Sequence, residues 1–364
     1  MRELDAQAIE DIATGSAVLA TGGGGDPYIG KIAALAAIGR YGRPKLLTVD
    51  ELDAESMVVT AFFMGSPMTA LEKLPLGVEF DAAWECMQDA MNGRLTAIMP
   101  VEIGGLESMV PLVVAAKRGL PIVDSDLMGR AFPEIQLVTA TLFGIKANPF
   151  VLADERSNTV LFDVIDNVWA ERLGRVITSE MGAVAAGLTY AMTPAQLKQC
   201  GVLGSLSYAE TIGRSAREAR ERKEDPVQAV LKVTSGRLIF AGKVVDVQRR
   251  IERAWTRGEA SIDGTGDYAG SNMAVHFQNE NLVAIRDGDI VATVPDLITI
   301  MDAESGLAMT TEDVRYGFRV VVLGMPCADI WRSEAGVALA GPRHFGYQID
   351  YRPLEITFSA GATG

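Results

Sequence analysis

Three apolar runs in the first third of the chain each empty into a short polar loop that carries glycine. "MVVTAFF" (57–63) is followed by "MGSP", "LTAIMPV" (95–101) by "EIGG", and "LPIVD" (120–124) by "SDLMGR". If these runs are parallel neighbours, their ends share one edge of a sheet, and open α/β sheets bind ligands outside the carboxyl ends of their strands. Gly65, Ser66, Glu102, Gly104, Asp124, Ser125 and Asp126 would then meet. Clustered acids of this kind can supply a general base, hold a substrate amide N–H or bind a divalent ion. Each also has a purely local use. Asp124 and Asp126 can begin a turn or cap a helix, Ser66 can end a turn, and Glu102 can face solvent.

A fourth loop joins the same edge. "TGGGGDPYIGK" (21–31) places Gly23, Gly24 and Gly25 before Asp26, a good N-cap, and Pro27, suited to the first helical position. Ile29, Ile32, Ala33, Ala36 and Ile38 continue a helical pattern. Two readings stay open: a tight turn capped by Asp26, or a cradle whose N–H groups approach a ligand at a helix start. Gly25, Gly30 and Lys31 match G-x-x-x-x-G-K, but Ile32 stands where a phosphate-binding loop needs Ser or Thr. Lys31 falls inside the expected helix, so no nucleotide is expected. The dinucleotide pattern G-x-G-x-x-G fails at Pro27 and at Tyr28.

Other chemical residues are sparse. His276, in "AVHFQNENLV", sits in an expected strand, and His344, in "GPRHFGY", in a turn. No histidine metal motif and no G-x-S-x-G nucleophile elbow occurs. Cys86, Cys200 and Cys327 are far apart and odd in number, which indicates neither a disulfide framework nor a thiolate zinc site and fits a reducing compartment. A divalent metal on the acids remains open.

The elements that must position these residues change character along the chain. Strand and helix signals alternate over the first 150 or so residues, with helical faces in "FDAAWECMQDAM" and in "LESMVPLVVAAKRG", the latter closed by Gly119. That alternation predicts an α/β domain with a mainly parallel sheet, assigned to residues 1–165. A hairpin signal lies in "PFVLADERSNTVLFDV". Residues 166–364 begin with a helical connection, in which acids match the Arg run of "GRSAREARERKED" at four-residue spacing, as on a solvated helical face. After residue 235 a β-rich domain follows, with "RDGD" as a hairpin turn.

Composition bounds the function. The 364 residues are 48% hydrophobic, enough for a sizeable core, and carry a formal net charge of −14. That charge opposes non-specific nucleic-acid binding. The N-terminus carries acids where a secretory signal would be apolar, and no run of about 18 apolar residues exists. A soluble cytoplasmic protein off the membrane is expected, with a small-molecule substrate; homo-oligomers are compatible with the sequence.

The segments "ATGGGGDP", "MGSP", "EIGGLES" and "PIVDSDLMGRAFPE", with the later "NENLVA" and "VPDLI", resemble the S-methyl thiohydantoin desulfurase domain family. The resemblance covers nearly the whole chain. Members are often encoded beside hydantoinase or oxoprolinase genes, which implies either hydrolysis of a thiohydantoin-like or related cyclic amide ring, or an accessory role for a hydantoinase-like partner. In the implied reaction water attacks the ring carbon bearing sulfur and a thiol leaves. Asp124 or Glu102 would activate the water, and Asp126 would orient the ring N–H or hold a metal. The amides of Gly23, Gly24 and Gly25 would stabilise developing charge or bind a substrate carboxylate, for which Arg130 is an alternative partner. His276 would reach in from the second domain as an acid for the leaving thiol.

Overall fold

The computed structural model describes residues 1–65, 69, 77–252 and 255–359. Its first sheet contains β1 (Arg2–Glu3), β2 (Lys45–Leu47), β3 (Val58–Gly65), β4 (Ala97–Pro100) and β5 (Ile122–Val123). β2, β5, β4 and β3 are parallel neighbours in that order. Most of their residues are buried, as the continuous apolar runs require of strands covered on both faces. Helices α1 (Ala6–Leu19), α2 (Pro27–Tyr41), α3 (Val78–Ala90) and α4 (Val110–Arg118) supply the cover. Their ends follow the sequence signals. Asp26 caps α2 by accepting from Tyr28 N at 2.7 Å, Pro111 lies in the first turn of α4, and Gly119 ends α4 at φ 69°.

The sheet is completed from further along the chain. After a two-residue ladder strand, β6 (Ser125–Asp126), the hairpin β7 (Phe150–Ala153) and β8 (Thr159–Phe162) adds one edge, and β9 (Val184–Met192) inserts antiparallel between β3 and β7. Helix α5 (Asn167–Glu180) packs near β3 and β9. β10 (Val202–Leu203) pairs with β6, and helices α6 (Ser205–Glu221) and α7 (Pro226–Thr234) lead on to the second domain.

That domain is a seven-stranded antiparallel sheet, the α/β plus β-rich organisation read from the sequence. It comprises β11 (Arg237–Glu252), β12 (Trp255–Gly264), β13 (Asn272–Gln278), β14 (Glu280–Arg286), β15 (Asp289–Thr293), β16 (Leu297–Asp302) and β17 (Arg319–Met325), in the order β15-β14-β13-β12-β11-β17-β16. Asp287 and Gly288, both at positive φ, make the β14–β15 turn that "RDGD" announces. Among the described residues no helix is long and apolar enough to cross a membrane.

Helix α1 delivers the chain into the glycine loop, and its position is set by a close crossing with α6. A Cβ on Gly15 would come within 1.8 Å of Ala209 O, and one on Gly213 within 1.9 Å of Asp11 O. Arg217 then reaches both carboxylate oxygens of Asp11, at 2.9 and 3.0 Å. Gly213→Ala is expected to lower stability by about 1–3 kcal/mol through overpacking. Gly39→Ala in α2, with nothing within 4 Å of the new methyl, serves as control; it is expected to be neutral or to stabilise by up to ~1 kcal/mol. Urea unfolding midpoints of the two variants check this, and equal effects would contradict the close crossing.

Candidate active site

The parallel strands β3 and β4 both point their carboxyl ends at the glycine loop, and a small cleft of about 80 Å³ opens there. Phe63 and Gly65 from β3, Glu102, Leu106 and Glu107 from the segment after β4, and Gly24 and Gly25 line it. The opposite wall comes from Phe132 and Pro133, Arg175 of α5, Val184 of β9, and Asn279 and Glu280 at the β13–β14 corner. Both domains therefore contribute side chains.

Four glycines are needed because the loop is clamped on all sides. A Cβ on Gly22 would come within 2.9 Å of the Thr311 methyl, on Gly23 within 2.1 Å of Glu280 Oε1, on Gly24 within 2.5 Å of Gly104 Cα, and on Gly25 within 2.8 Å of Leu106 Cβ. Gly22, Gly24 and Gly25 also have φ of 89°, 68° and 73°. The loop's carbonyls are bonded across the molecule. Leu106 N donates to Gly24 O at 2.8 Å, Asn281 N to Thr21 O at 2.7 Å and Thr311 N to Gly22 O at 2.8 Å. Asp26 is engaged in capping α2, and Lys31 lies inside α2 with its ammonium 5.4 Å from the Tyr28 ring centre.

Three carboxyl groups in the cleft are almost completely buried: Glu102, Glu107 and Glu280. Glu102 accepts from Phe132 N at 3.1 Å, and Glu107 from Phe63 N at 2.8 Å. Oε2 of Glu280 has no hydrogen-bond partner among the described residues. Burial pushes the Glu102 carboxyl up to about 8, with the nearby Asp126 adding to the rise and Arg130 and Arg175 opposing it. Glu107 is raised by burial and then by Glu102, and Glu280 by burial and then by Glu102, against the pull of Arg130. Like charges in a low-dielectric cleft hold protons, so near neutrality the cluster presents O–H donors as well as acceptors. Arg175 stands beside them, donating to Glu171 Oε1 and to Pro133 O, each at 2.5 Å. Trp255 of β12 donates to the same Pro133 carbonyl at 3.3 Å.

Of the residues singled out in the sequence, Gly24, Gly25, Gly65 and Glu102 line this cleft. Gly104 sits directly behind Gly24. Gly23 is backed by Glu280. Ser66 lies outside the described residues. Asp124 points elsewhere: it accepts from Ser207 N at 3.0 Å and from Ser207 Oγ, in the first turn of α6. Asp126 is fully buried behind the cleft, accepting from Met128 N and Gly129 N at 2.8 and 2.7 Å, and burial raises it to about 7. Ser125 Oγ donates to Val202 O at 3.2 Å across the β6–β10 ladder. His276 lines a different cleft and pairs with Glu259 at 3.1 Å. Among the described residues no group of three or more His, Cys, Asp or Glu is arranged to hold a metal ion.

Arg130 is not at the cleft surface either. It is fully buried, and its guanidinium donates to Ala131 O, Pro295 O, Asp296 O, Thr21 Oγ1 and Asn281 O, at 2.9–3.3 Å. Its plane lies 4.5 Å over the Phe132 ring. Sequence reasoning missed Glu107, Arg175, Asn279 and Glu280. The polar "QNEN" between two strand patterns was a signal for the last pair, whereas Arg175 lies in an ordinary amphipathic helix and carried none.

Family models for the N-terminal and C-terminal domains of S-Me-THD-like proteins match residues 7–164 and 165–354. The chain belongs to the S-Me-THD-like family. No curated protein matches it. Among solved structures, a crystal structure of a protein from Chromobacterium violaceum is 23% identical, aligning over 97% of this chain and 100% of that one with a TM-score of 0.81. That likeness establishes a shared fold. The resemblance read from the sequence motifs is thus a family membership spanning both domains.

Two tests follow from this geometry. Glu102 and Asp126 bind their protons more tightly in the fold than in the unfolded chain. Their contribution to stability is therefore complete below about pH 4 and is lost as pH rises through about 7 to 8. The melting temperature should fall from about pH 5 to about pH 8, and less steeply in Glu102→Gln, which keeps the acceptor for Phe132 N. An unchanged slope would mean that Glu102 is not protonated. Arg130→Lys leaves at least two of the five oxygens without a donor, and should cost roughly 3–5 kcal/mol in chemical unfolding; a loss under about 1 kcal/mol would show that the five bonds do not hold the domains.

Proposed function

We propose that the protein hydrolyses a thiohydantoin-like ring or a related cyclic amide or thioamide, releasing a thiol where the ring carries one. The observation that carries this reading is the set of three buried carboxyl groups, Glu102, Glu107 and Glu280, around one small cleft. The family's name points to the same ring chemistry.

The reaction needs one group to take a proton and another to give one. Glu102, in the fraction of molecules in which it is ionised, which grows as pH approaches about 8, removes a proton from water as the water oxygen attacks the ring carbon bearing sulfur. The C–O bond forms and the ring C=N electrons move to nitrogen, which takes a proton from a neighbouring acid. The attached hydroxyl then returns a proton to the carboxylate that protonated the ring nitrogen. As the carbonyl forms, the C–S bond breaks and the thiolate leaves with a proton from Glu107 or Glu280, offset by the one Glu102 took from water. Water and an S-alkyl ring thus become a ring amide and a free thiol. Arg175 and the glycine-lined wall offset the negative charge that develops during attack. A cleft of this size and polarity suits a small neutral ring with both N–H and C=O groups.

Purified protein incubated alone with an S-methyl thiohydantoin should release methanethiol, followed with a thiol-reactive dye. Glu102→Gln should lower kcat/KM by about 10²–10⁴-fold, and the wild-type rate should climb with pH toward about 8 as the base ionises. Absence of thiol release by the wild-type protein would overturn the hydrolase reading in favour of an accessory role. Full activity in Glu102→Gln would remove Glu102 from the chemistry.

A further inference from the structure

We infer that an apolar groove beside the carboxyl cleft holds a hydrocarbon substituent of the ring, so that the substrate is a ring bearing a branched alkyl or aryl group. This rests on the reading of the carboxyl cleft as the site of ring chemistry. The groove has a volume of about 240 Å³. Helix α2 contributes Ala33 and Ala37 to its wall, α4 contributes Val110 and Val113, and Phe80 comes from α3. Phe63 and Leu106 line the groove and the carboxyl cleft alike, so the two spaces meet at these side chains.

Size sets what each space can hold. A water-sized group takes roughly 30 Å³, so the carboxyl cleft, at about 80 Å³, is filled by the reacting edge of a ring. Whatever the ring carries extends beyond it. On the same scale the groove has room for about eight such groups, enough for an isobutyl group or a phenyl ring. The boundary between the spaces is fixed from the cleft side. Phe63 N donates to Glu107 at 2.8 Å, and Leu106 N to Gly24 O at 2.8 Å. The Phe63 and Phe80 rings meet edge to face, with centroids 4.9 Å apart, which carries the apolar wall from the cleft into the groove. Two cations stand at the rim, and both are engaged within the chain: Arg40 lies over the Tyr41 ring at 5.1 Å, and Lys117 pairs with Asp81. A charged substituent would compete with those contacts and lose its hydration, whereas a hydrocarbon needs no polar partner.

The test is titration calorimetry of the full chain with hydantoin and with 5-isobutylhydantoin, two neutral rings that lack a leaving thiol. The isobutyl ring should bind more tightly by about tenfold or more, as burial of its apolar carbons requires. Ala33→Phe fills the groove from α2 and Val113→Phe from α4, both at half-buried positions, and each should abolish that preference. Gly39→Ala, on α2 but outside the groove, should keep it. Equal dissociation constants for the two rings in the wild-type protein would overturn the proposal. So would a preference that survives both phenylalanine substitutions, or no saturable heat from either ring up to about 10 mM. Thiol release tells this failure from failure of the hydrolase reading. Turnover of an S-methyl thiohydantoin with equal binding of the two hydantoins would sink the groove alone. A preference for the isobutyl ring without any turnover would sink the hydrolase reading and leave the groove as the substituent's site.

Discussion

The arrangement of the two domains turns on a buried cation. A guanidinium has five N–H donors and no acceptor, and removing it from water costs several kcal/mol unless every donor is met. Arg130 meets all five on oxygens from the glycine loop, its own neighbour Ala131 and the second domain. No carboxylate oxygen is among these acceptors, so the charge is solvated by dipoles. Its longer-range attraction falls on Glu280, Asp296 and Glu102. One side chain therefore does two things. It fixes Thr21 against Asn281, which brings the glycine loop to the corner of β13 and β14. It also draws the proton affinities of Glu102 and Glu280 down from the level that burial alone would give them.

Much of the fold was legible because its signals are local. Asp26 and Pro27 mark the start of α2, Gly119 marks the end of α4, and Asp287–Gly288 mark a hairpin; each acts within a few residues. The position of β9 was less so. Its run is apolar, but nothing in residues 184–192 says that they pair with β3, more than 100 residues earlier, instead of with the antiparallel sheet that follows. The glycine loop was legible as an anomaly and not as a cause. Its four glycines make room for Thr311, Glu280, Gly104 and Leu106, partners that lie 80 to 290 residues away and leave no trace at positions 22–25.

The strand ends meet at the cleft for β3 and β4 but not for the two-residue β5. β3 and β4 deliver Gly65 and Glu102 to the cleft as parallel neighbours should. β5 is only two residues, and the chain leaves it at once to pair with β10, which turns Asp124 toward α6 and draws Asp126 behind the cleft wall. Asp126 still acts on the site at a distance, since its charge is one of the influences that raise Glu102. From the second domain, Asn279 and Glu280 line the carboxyl cleft. His276 and Glu280 flank the same turn, but the strand ends between them, and the two side chains line separate clefts.

That separation gives the two clefts different linings. Near neutrality the carboxyl cleft is populated by protonated acids, which donate and accept hydrogen bonds yet carry little net charge. An anionic ligand there would gain from Arg175 but would oppose ionisation of Glu102, the step that general-base chemistry requires. A neutral ring imposes no such conflict. The cleft at His276 is lined differently, by Arg250, Arg257 and Gln278 across three neighbouring strands. The strand pair β13–β14 spans both, with Gln278 in one cleft and Glu280 in the other. One short corner thus divides a cleft of mixed charged and amide side chains from a pocket lined by buried carboxyl groups.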